Sequence, residues 1–377
     1  MDLEIFEAGR IHNKIEGQIR EVTRRCNSVR VTVPARLNAM CFDLKTLAKP
    51  KDVFVYSAGE LAFSVDIKTS AELEIEEGGG PEVVVSGKSG RKSIVRHAGL
   101  MMARALGIRD TLHIEAHNHH LYPHAGLGSS SSIITSVCVA INKAYGSPLD
   151  ERQLTLFIAR NHGEEIDGDD ENLVHVQCNG GSPSVALYGG GMQVIVGDSR
   201  MMLREEIPPE YTFVFGIPEL YKKHDAKFLM EKEAEQFPSM LQASEDFSRE
   251  IAWKVLNQLR PAVLRQDMLS IGDVLRYYRF ETGSLKIDSG IWEGLRPLVE
   301  SLQDLRSART PIVSVSSCGP AVYALTKSPS EVYGRFREER MQVFSAEPDN
   351  TGLVVSSEQE IKQRGDVQQA ARSCSAR

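Results

Sequence analysis

A chain of 377 residues with 41% hydrophobic and 25% charged residues can form a large core, divided between two lobes rather than held in one compact domain. Its net charge of −7 argues against non-specific nucleic-acid binding, and no stretch approaches the ~20 consecutive apolar residues that span a bilayer. Six scattered cysteines without a CxxC pair argue against a zinc site or a disulfide framework, and the polar N-terminus does not resemble a signal peptide. We therefore expect a cytoplasmic protein with no nucleic-acid or membrane partner.

The first half of the chain predicts antiparallel strands followed by helices. Residues 1–28 alternate charged and apolar positions, which predicts a helix and then a turn. Alternation with a period of two predicts strands in SVRVTVP, LAFSVDI, AELEIEE and EVVV, and a further strand in TLHIEAHNHHLY. Helical spacing over 93–108 predicts a helix with Gly107 as its C-cap. SSIITSVCVAINKAYG predicts a buried helix that ends at Gly146, and an amphipathic helix follows with Asp150 as its N-cap.

The second half predicts mixed elements around glycine-rich turns. EEIDGDDEN is typical of a solvated charged loop, and SVALYGGGMQVIVGDS predicts two strands around glycines. IPPEYTFVFGIPE predicts the strand that enters a second lobe, where helical patterns follow over 226–265, 267–281 and 290–307. TPIVSVSSCGPAVYALTKS predicts a strand, a turn of small residues and another apolar run. SEVYGRFREERM predicts a helix, and NTGLVVSS predicts a last strand.

Antiparallel hairpins mixed with helices, without regular βαβ alternation, predict an α+β fold in two lobes. We expect an N-terminal extension at residues 1–28, a first lobe at 29–204 and a second lobe at 205–356. The remainder, 357–377, is too polar to pack and is predicted to be a disordered tail.

PHAGLGSSSS, residues 123–132, is the stretch most suggestive of chemistry. Gly126 and Gly128 permit positive φ and close approach of a ligand to the main chain. Four serines then open the apolar helix, whose first N–H groups lack intrahelical partners and lie at the positive end of the helix dipole. We predict an anion site here, although glycine and serine are also favoured where a helix is merely capped. No lysine follows in GxxxxGK[ST] spacing, which excludes a Walker-type P-loop.

Several stretches resemble the GHMP kinase superfamily. GLGSS at the start of a buried helix is similar to the superfamily's second motif, which wraps the phosphates of ATP. Three other stretches are more similar to one branch, the β-ribofuranosylaminobenzene 5′-phosphate synthases: PARLNAMCFDL (34–44), VYSAGELAFSV (55–65) and SSCGPAVYAL (316–325). The resemblance spans about residues 28–355. It implies a ribosomal protein S5 domain 2-like N-terminal lobe and a ferredoxin-like α+β C-terminal lobe.

That branch transfers ribose 5-phosphate from phosphoribosyl pyrophosphate (PRPP), with loss of carbon dioxide from the acceptor. The resemblance therefore implies a PRPP-dependent, decarboxylating C-glycosyltransferase that uses Mg²⁺ with PRPP. Asn38 stands where the branch has a histidine, and Cys318 where it has a tryptophan. The acceptor is expected to be 4-aminobenzoate-like or a pyrazole-type carboxylate of C-nucleoside biosynthesis, and these departures favour a non-standard acceptor of the second kind. Relatives with this fold are often dimers, so a homodimer is expected.

An ATP-dependent small-molecule kinase of GHMP type is the alternative, and a non-catalytic small-molecule-binding protein is a third. Such a kinase usually has an acidic residue just before the strand with the paired glycines, where it polarises the attacking hydroxyl. The equivalent segment here, CNGGSPSVALYGG, contains no carboxylate. Transferase chemistry explains this absence, because decarboxylation replaces proton removal. No ATP is expected unless the kinase alternative holds.

The resemblance assigns candidate roles to residues of these motifs. The pyrophosphate cradle would comprise Gly126, Leu127, Gly128, Ser129, Ser130, Ser131 and Ser132, with a second turn at Ser316, Ser317 and Gly319. His124 would bond a phosphate or shuttle a proton, and Arg36 and Asn38 are the other candidate catalytic residues. Arg36 would fork onto the 5′-phosphate or the acceptor carboxylate, or else pair with Asp43. Asp43 and Glu165 are the candidate Mg²⁺ ligands.

Overall fold

The computed structural model describes residues 4–45, 58–80, 82–118, 122–176, 178–219, 221 and 226–357. The strands within these ranges are β1 (Ile5–Glu7), β2 (Ser28–Cys41), β3 (Glu60–Gly79), β4 (Val83–Val85), β5 (Asp110–Asn118), β6 (Gly163–Ile166), β7 (Asp169–His175), β8 (Met192–Val196), β9 (Arg200–Glu205), β10 (Thr212–Ile217), β11 (Ile312–Val315), β12 (Val322–Thr326), β13 (Gln342–Ala346) and β14 (Val354–Ser357). The α-helices are α1 (Lys92–Leu106), α2 (Ser129–Ala144), α3 (Glu151–Arg160), α4 (Gly181–Leu187), α5 (Ala226–Glu235), α6 (Phe237–Lys254), α7 (Arg260–Leu264), α8 (Met268–Phe280), α9 (Ser284–Ile291), α10 (Leu295–Ser301) and α11 (Pro329–Glu338). A π-helical turn, Val255–Leu259, joins α6 to α7, and a 3₁₀ turn, Leu302–Leu305, follows α10. No helix in the described ranges has the length and apolar character needed to cross a membrane.

The first lobe is built on a seven-stranded sheet. Its strand order is β14-β2-β3-β5-β4, and β8 joins through β3 and carries β9. Helices α1 and α2 pack together, and their apolar residues share one core with the sheet, including Ile94, Met101 and Ile133. Every residue of α2 except Lys143 is buried, as its apolar composition predicts.

The second lobe is an antiparallel sheet with helices on it, in the order β11-β12-β10-β13. Counted within the lobe, the strand order is 2-3-1-4, and helices connect the first strand to the second and the third to the fourth. This is the ferredoxin-like arrangement that the resemblance implies. A single core cluster joins the lobes, because Leu37 and Phe63 of the first pack with Phe213, Leu259 and Tyr323 of the second.

The last strand returns to the first lobe. β14 pairs antiparallel with β2, and Val355 lies opposite Val31. The segment before β14 also bonds to β3, since the Asp66 N–H donates to Glu347 O at 2.9 Å and the Asp349 N–H to Ser64 O at 3.0 Å.

Local helix signals were confirmed. Gly107 ends α1 in the left-handed conformation, and its N–H donates to the Ala103 carbonyl. Asp150 caps α3, where its side chain accepts from the Gln153 N–H and the Gln153 side chain accepts from the Asp150 N–H.

Two predictions were wrong, and a third was right only in part. Residues 4–27 contain no helix, because Ile5–Glu7 pair with β7 as a strand and bury Phe6 in the core of the first lobe. SVALYGGG does not begin with a strand: it forms most of α4, which starts after Gly180 at a φ of 81°. EEIDGDDEN forms the hairpin of β6 and β7: the acids at its turn are exposed, as predicted, but its first two glutamates are partly buried.

Candidate active site

A cavity of about 230 Å³ lies where the two lobes meet. It brings together the glycine–serine loop, the first motif on β2, the β6–β7 hairpin and the turn of the late motif. Helices α5, α8 and α9 of the second lobe line the opposite side. Motifs that are up to 283 residues apart in the chain thus share one site, since Arg36 and Gly319 both line it.

The glycine–serine loop presents part of its predicted set to the cavity. Gly126 and Gly128 have φ values of 96° and 66°, and α2 begins directly after Gly128. Both glycines line the cavity, together with Ser129, Ser130 and Ser131. The other two predicted residues face inward: the Leu127 side chain packs in the interlobe core, and Ser132 is fully buried.

The turn of the late motif packs directly on this loop. Ser316 Oγ donates to the Gly126 carbonyl at 2.6 Å, and the Ser317 N–H donates to the Asn38 carbonyl at 2.9 Å. A Cβ on Gly126 would lie 2.1 Å from Ser316 O, and one on Gly319 would lie 2.3 Å from the Ala125 carbonyl. Ser317 and Gly319 line the cavity, whereas Ser316 is buried beneath the loop and positions it.

Arg91, which sequence reasoning missed, supplies the cation at the start of α2. Its Nη1 donates to Ser129 Oγ at 2.9 Å and its Nη2 to Ser130 Oγ at 2.5 Å. Its Nε donates to Glu165 Oε1 at 2.6 Å, while Ser130 Oγ donates to Glu164 Oε2 at 2.5 Å. The guanidinium therefore ties two loop hydroxyls to the pair of acids on β6.

The acids on β6 are held in their ionised form. Burial raises the pKa of Glu164, but the hydrogen bond from His162 and the charges of His124 and Arg91 lower it to about 2. The pKa of Glu165 is also lowered, because hydrogen bonds from His124 and Arg91 outweigh its burial. Burial lowers the pKa of His124, but Glu165 and Glu164 raise it by more. The two acids therefore favour the imidazolium form of His124.

The candidate metal ligands divide between two places. His124, Glu164 and Glu165 each offer one ligand atom, and these atoms lie within 4.8 Å of one another. Asp43 does not line the cavity: its carboxylate accepts from the Lys45 N–H at 3.0 Å and from Ser244 Oγ at 3.4 Å. The structure thus brings Glu165 to His124 and adds Glu164, but it keeps Asp43 apart.

Arg36 and Asn38 line the cavity from β2 and share one buried acid. Arg36 Nε donates to Glu60 Oε1 at 3.0 Å, and Arg36 Nη2 and Asn38 Nδ2 both bond Glu60 Oε2. The partner of Arg36 is therefore the fully buried Glu60 rather than Asp43. Glu60 was missed, although an acid in the apolar strand GELAFSV is an unusual residue that calls for a buried cation.

The second-lobe side of the cavity holds a buried ion pair. Arg279 Nη1 donates to Asp288 Oδ2 at 2.8 Å and to Ser284 Oγ at 3.0 Å, and Nη2 donates to the carbonyls of Ala39 and Val315. Burial raises the pKa of Asp288 to about 7 even though Arg279 acts to lower it.

Comparison with known proteins agrees with this architecture. Residues 93–171 match the family model described as GHMP kinases N terminal domain. The chain is 22% identical over 252 residues to the beta-ribofuranosylphenol 5′-phosphate synthase of Methanothermobacter thermautotrophicus, which covers 66% of this chain and 74% of that protein. It is 26% identical over 223 residues to the protein of the same name from Archaeoglobus fulgidus, covering 54% and 62%. A homoserine kinase from Moorella thermoacetica is 28% identical over 155 residues, covering 39% and 47%.

Solved structures share the fold at low sequence identity. The Lin0012 protein of Listeria innocua superposes with a TM-score of 0.62 at 14% identity, covering 88% of this chain and 99% of that one. The homoserine kinase of Cytophaga hutchinsonii superposes with a TM-score of 0.57 at 16% identity, covering 88% and 98%. Residues 93–171 are therefore similar to the GHMP kinases N terminal domain, and the chain shares its two-lobed fold with homoserine kinase.

Proposed function

We propose that the protein is a PRPP-dependent C-glycosyltransferase that joins ribose 5-phosphate to a carboxylated aromatic or heteroaromatic acceptor and releases pyrophosphate and carbon dioxide. Its similarity to two proteins named beta-ribofuranosylphenol 5′-phosphate synthase supports this class of product. The observation that carries the proposal is the charge of the side chains around the loop. Arg91 and the imidazolium form of His124 are cationic donors, and Glu164 is locked as an anion with a pKa of about 2.

The part of the cavity beside the loop suits the departure of a diphosphate better than the deprotonation of a hydroxyl. A general base works best when its pKa lies near the operating pH, and the ion-paired Glu164 is far too acidic for that role. Donors fixed around a leaving group, by contrast, stabilise the negative charge that develops on it.

The proposed reaction needs no base. The bond from C1 of the ribose to the pyrophosphate oxygen breaks, and the oxygen leaves with the electron pair. The ring carbon that bears the acceptor carboxylate uses a π pair to form the new bond to C1. The bond to the carboxylate carbon then breaks, carbon dioxide leaves, and its electron pair restores the aromatic ring.

Residues of this chain would bind the two ends of PRPP. The pyrophosphate would lie on the free N–H groups at the start of α2, beside Ser129, Ser130 and Arg91. His124 would donate to a pyrophosphate oxygen. Glu60 engages Nε and Nη2 of Arg36, so we assign Nη1 to the acceptor carboxylate or the 5′-phosphate.

Mg²⁺ would neutralise the pyrophosphate charge as it builds up. The donor set fits this ion, because Mg²⁺ is usually held by one or two carboxylates together with phosphate oxygens. Glu164 and Glu165, which lie side by side on β6, are the residues that would hold it.

An ATP-dependent small-molecule kinase is the second candidate. The shared fold with homoserine kinase supports it, and so does Asp288, whose pKa of about 7 suits a proton acceptor. Asp288 lines the second-lobe side of the cavity, where a hydroxyl substrate would bind.

Ligand binding and product release separate the two candidates. The protein is titrated calorimetrically with PRPP·Mg²⁺ and with ATP·Mg²⁺, and pyrophosphate, carbon dioxide and ADP are measured with 4-aminobenzoate, pyrazole carboxylates and homoserine. We expect PRPP binding, with equal release of pyrophosphate and carbon dioxide. Binding of ATP alone, with ADP release, would overturn the transferase proposal.

Gly128→Asp tests the loop itself. A Cβ here would lie 2.9 Å from Ser182 Oγ and 3.4 Å from the Arg36 carbonyl, and the added carboxylate would repel a pyrophosphate bound at the loop. PRPP binding should therefore be lost while circular dichroism still shows a folded protein. Gly78→Asp is the control, because Gly78 has a similar positive φ of 87° but meets nothing within 4 Å. Unchanged PRPP affinity in Gly128→Asp would refute the role of the loop.

A further inference from the structure

We propose that Glu233 of α5 forms the acceptor subsite and selects a flat acceptor that carries an N–H donor, either an amino group or a ring N–H, over one that lacks it. This inference rests on the proposed function, since it names the class of acceptor that the transferase would take.

Glu233 lines the cavity from α5. Its carboxylate contacts Cys318 Sγ at 3.7 Å, and within the described residues no Lys, Arg or His side chain pairs with it. Burial raises the pKa of this carboxyl, and the charge of Glu164 raises it further. A partly buried carboxylate without a cationic partner is unfavourable, so a ligand that supplies donors there would gain an interaction that the protein leaves unmade.

The cation on this side of the cavity, Arg279, is bonded to Asp288 instead of Glu233. Its Nη atoms donate to Asp288, Ser284 and two main-chain carbonyls, and its Nε is buried without a partner. Burial raises the pKa of Asp288, and the like charge of Glu233 raises it further. Within the described residues, two acids on this side of the cavity thus face one arginine, and this excess of acceptors is complementary to nitrogen-bound hydrogens.

The walls around Glu233 suit a planar ring. Trp292 is fixed in place, because its indole N–H donates to the Cys318 carbonyl at 2.8 Å and its ring stacks on Tyr221. Apolar side chains of α5 and α9, among them Met230 and Ile287, line the same part of the cavity. A flat apolar ring would pack here with its polar edge toward Glu233.

The subsite is also connected to the glycine–serine loop. Cys318 contacts Glu233, and the next residue, Gly319, packs against Ala125 at the start of that loop. An acceptor ring seated at Glu233 would therefore share the cavity with a sugar held at the loop, as the transferase requires.

Binding of matched probes tests this subsite without any turnover. The probes are 4-aminobenzoate and its isostere 4-methylbenzoate, titrated calorimetrically into the wild-type protein in the presence of Mg²⁺ and pyrophosphate. We expect 4-aminobenzoate to bind about tenfold or more tightly, as a hydrogen bond to a charged group would give. Equal affinities, or no binding of 4-aminobenzoate, would overturn the inference.

Glu233→Gln removes the charge and keeps the shape of the side chain. The preference for the amino probe should fall to about twofold or less, while 4-methylbenzoate binds as before. Glu231→Gln, an exposed acid on the same helix, is the control and should keep the wild-type preference. A Glu233→Gln protein with the full preference would contradict the assignment.

The two proposals can fail separately. If PRPP is not turned over with any acceptor but Glu233→Gln loses the preference, the transferase fails and the subsite stands. If PRPP is turned over and Glu233→Gln keeps the preference, the subsite fails alone.

Discussion

Ser316 Oγ donates a 2.6 Å hydrogen bond to the carbonyl oxygen of Gly126, a residue 190 positions earlier in the chain. The main-chain carbonyl of Ser316 also occupies the space that a Gly126 side chain would need, 2.1 Å from the ideal Cβ position. The glycine–serine loop and the late motif are thus one structural unit, although they belong to different lobes.

Gly126→Ala should therefore reduce stability for two reasons, the positive φ of this residue and its contact with Ser316. A positive φ costs an alanine roughly 1–2 kcal/mol, and the forced separation from Ser316 adds roughly 1–3 kcal/mol. We expect a lower free energy of unfolding by urea denaturation and loss of pyrophosphate binding by calorimetry. The matched control is Gly78→Ala, which has a positive φ and open space around it. Equal destabilisation in both variants, with pyrophosphate binding intact, would show that the contact with Ser316 is unimportant.

Arg91→Ala should weaken anion binding. It removes the donor to Ser129 and Ser130 and leaves Glu164 and Glu165 facing the loop without their arginine. Pyrophosphate affinity, measured with Mg²⁺ present, should fall by roughly 10- to 100-fold, the value of a charge-assisted hydrogen bond. Arg96→Ala, which changes an exposed arginine in the first half of α1, should bind as the wild type does. The same affinity in the two variants would remove Arg91 from the anion site.

Stability should fall as the pH drops below neutrality, because of a histidine cluster behind the β6–β7 hairpin. His97 Nδ1 accepts from the Gly9 N–H at 2.9 Å and Nε2 faces Asn161 O at 2.7 Å, and burial lowers its pKa to about 4. Burial and the neighbouring His12 lower the pKa of His175 to about 4 as well.

The direction of this pH dependence follows from the difference in histidine pKa between the folded and unfolded states. The unfolded histidine has a pKa near 6.5, so between about pH 6.5 and 4 the unfolded chain binds protons that the folded chain does not. The contribution of neutral His97 to the free energy of unfolding is fully present above this pH range. It decreases as the pH falls through the range, by about 3 kcal/mol in total. Urea unfolding at pH 7.5, 6 and 5 should show this loss, and His97→Gln should reduce the pH dependence whereas His113→Gln, an exposed histidine, should not. A wild-type free energy of unfolding that stays the same at these three pH values would contradict this prediction.

Arg279→Ala should be strongly destabilising. It leaves Asp288 buried without its cation and leaves the carbonyls of Ala39 and Val315 without a donor, which costs roughly 3–5 kcal/mol. The double variant Arg279→Met, Asp288→Leu should recover much of that loss, because no charge is then buried alone. Arg276→Ala, an exposed arginine on the same helix, should change the free energy of unfolding by less than about 0.5 kcal/mol. A double variant that is less stable than Arg279→Ala would show that the pair is net stabilising.

Signals that act within a few residues could be predicted from the sequence. The capping box of Asp150 and Gln153, the glycine that ends α1 and the apolar helix after the loop all depend on local geometry. The anion site itself belongs to this class, since its glycines and serines are contiguous.

Features that depend on distant partners could not be predicted in the same way. Residues 5–7 become a strand only because β7, about 165 positions later, offers them an edge. In the sequence, Arg91 is an arginine before a helix with nothing to mark it as part of a site. Only the fold places it beside Ser129 and Glu165. Glu60 was within a quoted motif, yet only the structure pairs it with Arg36.

The return of β14 to the sheet of the first lobe has a consequence for how the protein can be cut. The polypeptide passes between the lobes once on each side of the second lobe, near 206–211 and near 347–353. A fragment truncated after the first passage would therefore uncover the edge of β2 at residues 29–32, a template for edge-to-edge aggregation, and it would expose the core that the two lobes share. The lobes should therefore be studied together.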